Sequence, residues 1–277
     1  MRQRIITGII FTLAVLLFVI PSFWLPSLMM IFSIIVGAVS MYELLNAFKK
    51  GGFVPNGYLV IIGGIIAALA LFVCFLMQIS LIVALALYLL IMIPYCLACL
   101  ILPSVIDMEN HLSYGAVTGF TVLYVTFPMF CLTALAMLAP GGWFFMVPAL
   151  FAAWVSDVCA YFVGVTLGKH KIVPHLSPKK TWEGAICGAL SSFASGLVCW
   201  LIIRTASPVT LSLCLLTSFL ASTMGQIGDL AESLLKRMIG VKDFSNLIPG
   251  HGGVFDRADS LLFSIPTVYL CFLLANI

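Results

Sequence analysis

Three aspartates near the end of the chain are placed as ligands of a hard cation would be. Asp256 and Asp259 stand three residues apart at the predicted start of a helix, and Asp229 follows a glycine-rich stretch at the end of an earlier one. The dipole of a helix N-terminus stabilises one carboxylate, but this does not account for three. Magnesium is bound by one or two carboxylates together with phosphate oxygens and water. The three aspartates therefore predict a metal site for a phosphorylated substrate.

Basic residues lie beside these aspartates. Lys236 and Arg237 follow Asp229, and Arg257 separates the other two acids. Such side chains bind phosphate oxygens through charge-assisted hydrogen bonds. If the helix carrying Asp229 continues beyond its apolar run, Asp229, Glu232 and Lys236 share one face. A solvated i,i+4 pair between Glu232 and Lys236 is the alternative explanation for those two residues.

The segment before Asp256 adds polar side chains and flexible backbone. It contains Lys242 and Asp243, and later His251, Gly252 and Gly253. Glycine adopts backbone conformations that a β-carbon forbids and lets backbone N–H groups approach a ligand closely. We predict that the backbone around His251, Gly252 and Gly253 approaches a bound ligand.

A second polar segment, "GKHKIVPHLSPKKTWEG" at residues 168–184, indicates a phosphate contact. Ser177 and Pro178 are typical of the N-cap and first residue of a helix. A helix N-terminus offers free N–H groups to an anion, and Lys179, Lys180 and Thr181 add charge and a hydroxyl. A basic cytoplasmic loop would also explain the lysines, but it does not require Ser-Pro before them.

Asp157 lies in the middle of an apolar run, where an acid must face a wet cavity or a polar partner. Tyr161, one turn further on, is a candidate hydrogen-bond partner, and a purely structural role for Asp157 remains open. The nine cysteines all lie in apolar stretches and are odd in number. We predict that they pack as small hydrophobic residues rather than forming a metal or redox site.

The elements that position these residues are membrane-spanning helices. Of the 277 residues 63% are hydrophobic and 8% are charged, and mean hydropathy is +1.21. Soluble domains carry roughly 25% charged residues, so this composition predicts an all-α, polytopic integral membrane bundle. Nine apolar runs are long enough to cross a bilayer, at residues 5–20, 28–45, 58–77, 79–102, 116–138, 143–167, 184–203, 208–228 and 260–276.

Loop charges set the orientation of such a bundle. With the N-terminus in the cytoplasm, the outside segments hold Arg204 alone among the thirteen basic residues. The inside segments then hold Arg2, Arg4, Lys49, Lys50, Lys169, Lys171, Lys179, Lys180, Lys236, Arg237, Lys242 and Arg257. The first apolar run is predicted to be a retained helix, because no small-residue cleavage site follows it.

The uneven distribution of polar residues predicts two regions of different role. Residues 1–140 form a hydrophobic scaffold, and residues 141–277 form a catalytic region with cytoplasmic loops at 168–183 and 229–259. The positive formal charge does not indicate nucleic acid binding, because topology accounts for the basic residues.

The polar segments resemble a known family. Ser233-x-x-Lys236-Arg237, Lys242-Asp243 and the run from Pro249 to Asp259 closely resemble the signature of phosphatidate cytidylyltransferases, also called CDP-diacylglycerol synthases. The segments "SPKKTWEG" (177–184) and "DVCAYFVG" (157–164) are similar to two further stretches typical of that family. The likeness covers roughly the last 120 residues, and Ala258, Val158 and Cys159 depart from the usual pattern.

The resemblance implies that CTP and phosphatidate react to give CDP-diacylglycerol and pyrophosphate, with Mg²⁺ as the cofactor. It also implies an enzyme of the bacterial inner membrane, often a homodimer, whose polar cavity opens to the cytoplasm. Two cations a few ångströms apart could serve both the attacking and the leaving oxygens. On this hypothesis Asp229, Asp256 and Asp259 bind metal. The residues that bind nucleotide or lipid phosphate are Lys236, Arg237, Lys242 and Arg257, with Ser177, Lys179, Lys180 and Thr181 on the opposite wall. His251 lies near the phosphates without an assigned role, and Asp243, Gly252 and Gly253 complete the substrate contacts.

Three alternatives compete with this interpretation. A CTP-dependent lipid alcohol kinase of the dolichol type uses the same nucleotide but needs a general base. An ion-coupled transporter would place Asp157 and Asp229 at ion sites near the membrane midplane, with related halves. A CDP-alcohol phosphotransferase needs a "D-G-x-x-A-R" spacing that the sequence lacks.

Overall fold

The computed structural model describes residues 2–106, 111–138, 143–203, 210–250 and 252–275. Ten α-helices account for most of these ranges, with no β-strand among them. They are α1 (Arg2–Val19), α2 (Ser27–Lys50), α3 (Gly57–Leu76), α4 (Leu81–Ile106), α5 (His111–Leu138), α6 (Trp143–Thr166), α7 (Trp182–Ile203), α8 (Leu211–Ile239), α9 (Phe255–Ala258) and α10 (Leu261–Ala275).

The helices confirm the predicted all-α membrane architecture. Within the described ranges, each predicted apolar run corresponds to one long helix, and α9 is an additional short turn. Six helices are long and apolar enough to cross a bilayer, namely α2, α3, α4, α5, α7 and α8. Shorter apolar stretches occur at Thr12–Phe23, Leu150–Thr166 and Leu261–Ala275.

The chain divides into two compact units. The first comprises Met1–Ala139 and Met238–Ala258, and the second comprises Pro140–Arg237 and Asp259–Ile277. The sequence-based division into a scaffold at 1–140 and a catalytic region at 141–277 assigns a functional role to each region. The compact units do not test those roles, so the division stays a prediction.

Helix α5 is the core of the first unit, where it packs against α2, α3 and α4. Its buried threonines donate their hydroxyl hydrogens to carbonyls one turn earlier, as Thr121 does to Val117 and Thr133 to Met129. A membrane core offers no water to satisfy polar groups, so these internal bonds allow the hydroxyls to be buried.

The second unit is built on the close pairing of α6 and α7, with α10 packed against α6. At Gly188 of α7 a β-carbon would lie 2.8 Å from the carbonyl oxygen of Ser156, which shows how closely the two helices approach. The Gln226 amide of α8 donates to the Ser156 hydroxyl at 2.8 Å and to the Ala185 carbonyl at 3.1 Å. This one side chain therefore ties α6, α7 and α8 together.

Candidate active site

The segment between α8 and α9, residues 240–254, is a closed loop that we call the signature loop. The Ile248 N–H donates to the carbonyl of Gly252 at 2.8 Å, so the chain folds back on itself. Gly252 has a φ of +83°, a left-handed conformation that disfavours any residue with a β-carbon. A β-carbon there would also lie 2.9 Å from Asp256 Oδ2. The sequence prediction that glycine is needed at this point for backbone geometry therefore has a structural basis.

Asp256 organises this loop. The side chain is 3% exposed, and its Oδ2 accepts hydrogen bonds from the backbone N–H groups of Gly253 at 2.7 Å and Phe244 at 3.0 Å. The rings of Phe244 and Phe255 meet edge to face, with centroids 4.7 Å apart. The carboxylate predicted as a metal ligand thus also fixes the backbone at both ends of the signature loop.

Glu43 of α2 is a second buried acid at this loop, and it was absent from the sequence prediction. Only 1% of it is exposed. Its carboxylate accepts hydrogen bonds from the Phe255 N–H at 2.7 Å, the Val254 N–H at 3.0 Å and the Ser245 hydroxyl at 2.6 Å. The available signal was an acid within the apolar run at 28–45, since ionisable residues in membrane spans are usually functional.

Gly253 is required by the position of Glu43. A β-carbon at residue 253 would lie 2.5 Å from one carboxylate oxygen of Glu43 and 2.6 Å from the other. Real β-carbons do not approach this closely, so an alanine would displace either the carboxylate or the loop. Glu43, Gly253 and Asp256 therefore form one interlocked arrangement within the first unit.

In the second unit, Lys180 and Asp229 form an ion pair with Nζ and Oδ2 2.6 Å apart. Asp157 lies within electrostatic range of both members of this pair and of Asp259, and Ser260 supplies a hydrogen bond to Asp157. Asp259 Oδ1 also accepts the backbone N–H of Ser260 at 2.6 Å. We call Asp157, Lys180, Asp229 and Asp259 the polar cluster. It places a lysine from the 168–184 segment beside two of the predicted metal ligands.

Asp157 is half-buried, and its polar neighbours differ from the one that sequence spacing suggested. Its hydrogen-bond partner is Ser260, whereas Tyr161, the partner suggested from spacing, is 61% exposed. Asp157 thus belongs to the polar cluster rather than to a local pair along α6.

The predicted helix start at Ser177 and Pro178 is wrong. These residues lie in a turn closed by the Lys180 N–H and the Ser177 carbonyl at 3.2 Å, and α7 begins at Trp182. The actual cap is Thr181, whose buried hydroxyl oxygen accepts the N–H of Gly184 at 3.2 Å. Ser177 and Thr181 are both residue types that occur often at a helix N-cap. The one that caps α7 is the buried Thr181.

Thr181 is also held in place from the other side of the loop. The Trp182 N–H donates to the His170 carbonyl at 2.9 Å, and His170 Nδ1 lies 2.7 Å from Glu183 Oε1. These contacts close residues 170–182 into a ring. The ring fixes Lys180, whose side chain reaches Asp229, while the neighbouring Lys179 remains exposed.

The helix that carries Asp229 continues to Ile239, and Glu232 and Lys236, the pair considered as an alternative explanation, lie 2.6 Å apart. The pair is not a solvated one, because Glu232 is fully buried. The predicted phosphate-binding residues Arg237, Lys242 and Arg257 are exposed, as is Asp243. Their side chains are thus free of the surrounding packing that constrains Lys236.

The predicted metal ligands fall in both units, with Asp256 in the first and Asp229 and Asp259 in the second. Across the described ranges, no three or more His, Cys, Asp or Glu side chains are arranged to hold a metal ion. His251, predicted to lie near the phosphates, falls outside the described residues. All nine cysteines are free thiols, and five of them are buried.

Comparison with known proteins identifies the family. The model of the cytidylyltransferase family matches residues 2–275. The chain belongs to the cytidylyltransferase family. It is 34% identical over 298 residues to the phosphatidate cytidylyltransferase of Bacillus subtilis, covering 99% of this chain and 98% of that protein. It is 41% identical over 149 residues to the Brucella suis protein of the same name, covering 54% of each chain.

A further relative is the Mycobacterium bovis protein, also named phosphatidate cytidylyltransferase, with 37% identity over 172 residues. That alignment covers 58% of this chain and 51% of the relative. The family resemblance inferred from the motifs is confirmed. The chain is a membrane nucleotidyltransferase. The transporter alternative is therefore set aside.

Proposed function

We propose that this cytidylyltransferase-family member converts CTP and phosphatidate into CDP-diacylglycerol and pyrophosphate, a step of phospholipid biosynthesis. The observation that carries the proposal is the similarity over nearly the whole chain to a protein named for this reaction. The motif residues from Ser233 to Asp259 and the acid-rich polar cluster have the chemistry that the reaction requires.

The proposed reaction is an in-line displacement at the α-phosphorus of CTP. A phosphate oxygen of phosphatidate forms a new bond to that phosphorus, the bond to the β-phosphate bridging oxygen breaks, and pyrophosphate leaves. A phosphomonoester has a second pKa of about 6, so the lipid phosphate is largely a dianion at neutral pH. The nucleophile therefore needs no protein base, and the task of the protein is to bring two anions together.

Cationic side chains supply the charge that this approach needs. Exposed Lys242 and Arg257 of the first unit are proposed to bind phosphate oxygens, and so are Lys179, Lys180 and Arg237 of the second unit. Ser177 and the signature-loop residues Asp243, His251, Gly252 and Gly253 are proposed to complete the substrate contacts. Lys236, paired with buried Glu232, is proposed to act from a fixed position.

Magnesium is the proposed cofactor: the polar cluster supplies the type of donor that it prefers, although the described side chains do not form a preassembled group of three ligands. Asp157, Asp229 and Asp259 bring three carboxylates near one lysine, and carboxylate oxygens are ligands that Mg²⁺ prefers. Asp229 and Asp259 would hold the cation, with Asp256 as a further proposed ligand. When bound, Mg²⁺ would neutralise charge on the phosphates and on the departing pyrophosphate.

The proposal on metal is tested with Asp229→Asn, which keeps the shape of the side chain but removes its charge. We expect turnover to fall at least about 100-fold, and the Mg²⁺ concentration needed for half-maximal residual rate to rise. Thermal unfolding of the purified variant in detergent should match that of the parent protein. Near-normal rates with an unchanged Mg²⁺ dependence would refute the assignment of Asp229.

The proposed location is the bacterial inner membrane, with the active site facing the cytoplasm, where CTP is available. This orientation rests on the distribution of basic residues described above. A homodimer and the absence of nucleic acid partners remain predictions from the sequence.

The activity is tested by measuring pyrophosphate release from purified protein, with CTP and phosphatidate each omitted in turn. We expect release only when both substrates and Mg²⁺ are present. A dolichol-type lipid kinase would instead produce CDP from CTP and require a lipid alcohol.

A further inference from the structure

A groove with a volume of about 430 Å³ lies along α2 in the first unit. Its walls are α2 and α3 and its floor is α5, because each wall helix packs more extensively against α5 than against the other. This volume falls within the roughly 300–1,000 Å³ of typical small-molecule sites. The groove is therefore large enough for part of a lipid.

Small residues on the two walls create this space. Gly37 and Ala38 on α2 and Gly64 and Ala68 on α3 all line the groove, and their short side chains leave it unfilled. At Gly64 a β-carbon would already meet the methyl carbon of Met41 at 2.8 Å. The groove therefore exists because α2 and α3 carry small residues at these positions, although both helices are otherwise rich in large apolar residues.

The interior of the groove is suited to hydrocarbon rather than water. Leu71, Met129 and Phe130 are among its lining residues. The floor also contains the hydroxyls of Thr126 and Thr133, but these already donate to backbone carbonyls at 2.8 and 2.9 Å. A space of this size that offers water few unsatisfied polar partners favours an apolar occupant.

One end of the groove is polar and cationic. Tyr42, Asn46 and Lys49 line it and stand at i, i+4 and i+7 on one side of α2. Lys49 is exposed, whereas its neighbour Lys50, also exposed, is not part of the lining. An apolar trough that ends at a lysine complements a molecule with a long hydrocarbon chain and an anionic head.

The groove is separate from the signature loop, although both use the same helix. Glu43, which holds the loop, is not among the residues that line the groove, and its carboxylate is bound to the Phe255 N–H instead. We propose that the groove binds one anionic glycerophospholipid of the surrounding bilayer, with an acyl chain in the trough and the phosphate beside Lys49. Such a lipid is an accessory ligand that lies against the helix supporting the signature loop, and it is distinct from the substrate.

The proposal is tested by lipid binding, so it does not depend on the catalytic assay. Detergent-purified protein is titrated with phosphatidylglycerol or phosphatidylcholine, and bound lipid is counted by native mass spectrometry. We expect one phosphatidylglycerol per chain to bind more tightly than phosphatidylcholine. Lys49→Ala should weaken phosphatidylglycerol binding about fivefold, while Lys50→Ala, with the same change of charge outside the groove, should leave it unchanged. Equal effects of the two variants would overturn the proposal.

A second pair of variants tests the trough itself. Ala38→Phe places a large side chain in the groove, and Ala86→Phe places the same side chain at an exposed position of α4 outside it. Only the first should abolish lipid binding, with thermal unfolding showing that both remain folded. The accessory site is overturned if Ala38→Phe leaves binding intact. It is also overturned if Ala38→Phe raises the KM for phosphatidate as it abolishes lipid binding, because the groove would then be a substrate site. Dissociation of an oligomer by Ala38→Phe would overturn it as well, because the occupant would then be a second copy of the chain.

Discussion

Glu43 is the residue on which the signature loop depends most directly. One buried carboxylate accepts two backbone N–H groups and one hydroxyl from three positions between residues 245 and 255. Hydrogen bonds to a charged acceptor contribute about 1.5–3 kcal/mol each, more than neutral ones. The side chain holds the loop in place, and on the proposed function Glu43 is a positioning residue that would act on substrate through this loop.

We expect Glu43→Gln to destabilise the protein by about 2–3 kcal/mol, because an amide can accept from some of these donors but turns its own N–H groups toward others. Thermal unfolding in detergent and limited proteolysis of the signature loop measure the effect. Ser245→Ala is the matched control, since it removes one donor and leaves the carboxylate, and it should cost about 1 kcal/mol. Wild-type stability and loop protection in Glu43→Gln would contradict this role.

Lys180 is the cation of the polar cluster, since its ammonium lies 2.6 Å from Asp229 with Asp157 and Asp259 nearby. Removing the charge leaves three carboxylates uncompensated and withdraws a proposed phosphate contact. Lys180→Met should therefore lower turnover by about 100-fold. Lys171→Met removes the same charge from an exposed position of the same segment and should change turnover by less than about threefold. Comparable losses in steady-state assays of the two variants would argue against a specific role for Lys180.

At the scale of elements, the signature loop and α2 fit together only because residue 253 has no side chain. Gly253→Ala would press a methyl group against the carboxylate of Glu43, with separations of 2.5 and 2.6 Å from its two oxygens if nothing moved. Either the Glu43 carboxylate or the loop must then move, and movement of the loop would also disturb the bond from the Gly253 N–H to Asp256.

We expect Gly253→Ala to reduce activity at least about tenfold and to lower thermal stability by about 1–3 kcal/mol. Gly57→Ala is the control, because a β-carbon at this first residue of α3 meets nothing within 4 Å. It should be neutral or slightly stabilising, since alanine favours helix more than glycine does. Equal activity and equal melting temperatures for the two variants would contradict the interlocked arrangement.

The ends of a helix could be predicted where hydrophobicity alone determines them. They could not be predicted where the burial of one side chain determines them. The continuation of α8 to Ile239 and the Glu232–Lys236 pair follow from helical spacing. The start of α7 does not, because Ser177 and Thr181 both satisfy capping preferences. Thr181 is the cap because its side chain is buried at the start of the helix that packs on α6.

At the scale of the whole molecule, composition was sufficient for the membrane architecture, since a chain with 8% charged residues must bury its surface in lipid. The family followed from the motif residues, whose chemistry is specific. The partners of those residues did not follow. Glu43 lies about 200 positions before Ser245 and Phe255, and Lys180 lies about 50 before Asp229, so only the fold brings them together.

The most direct test of the proposed reaction is the fate of the α-phosphate of CTP. Purified protein is supplied with CTP labelled at the α-phosphorus, phosphatidate and Mg²⁺, and the lipid and aqueous phases are separated. Attack at the α-phosphorus transfers the label to the lipid phase in amounts equal to the pyrophosphate released. Label that remains in the aqueous phase as CDP, with no pyrophosphate formed, would contradict cytidylyl transfer and favour a lipid kinase.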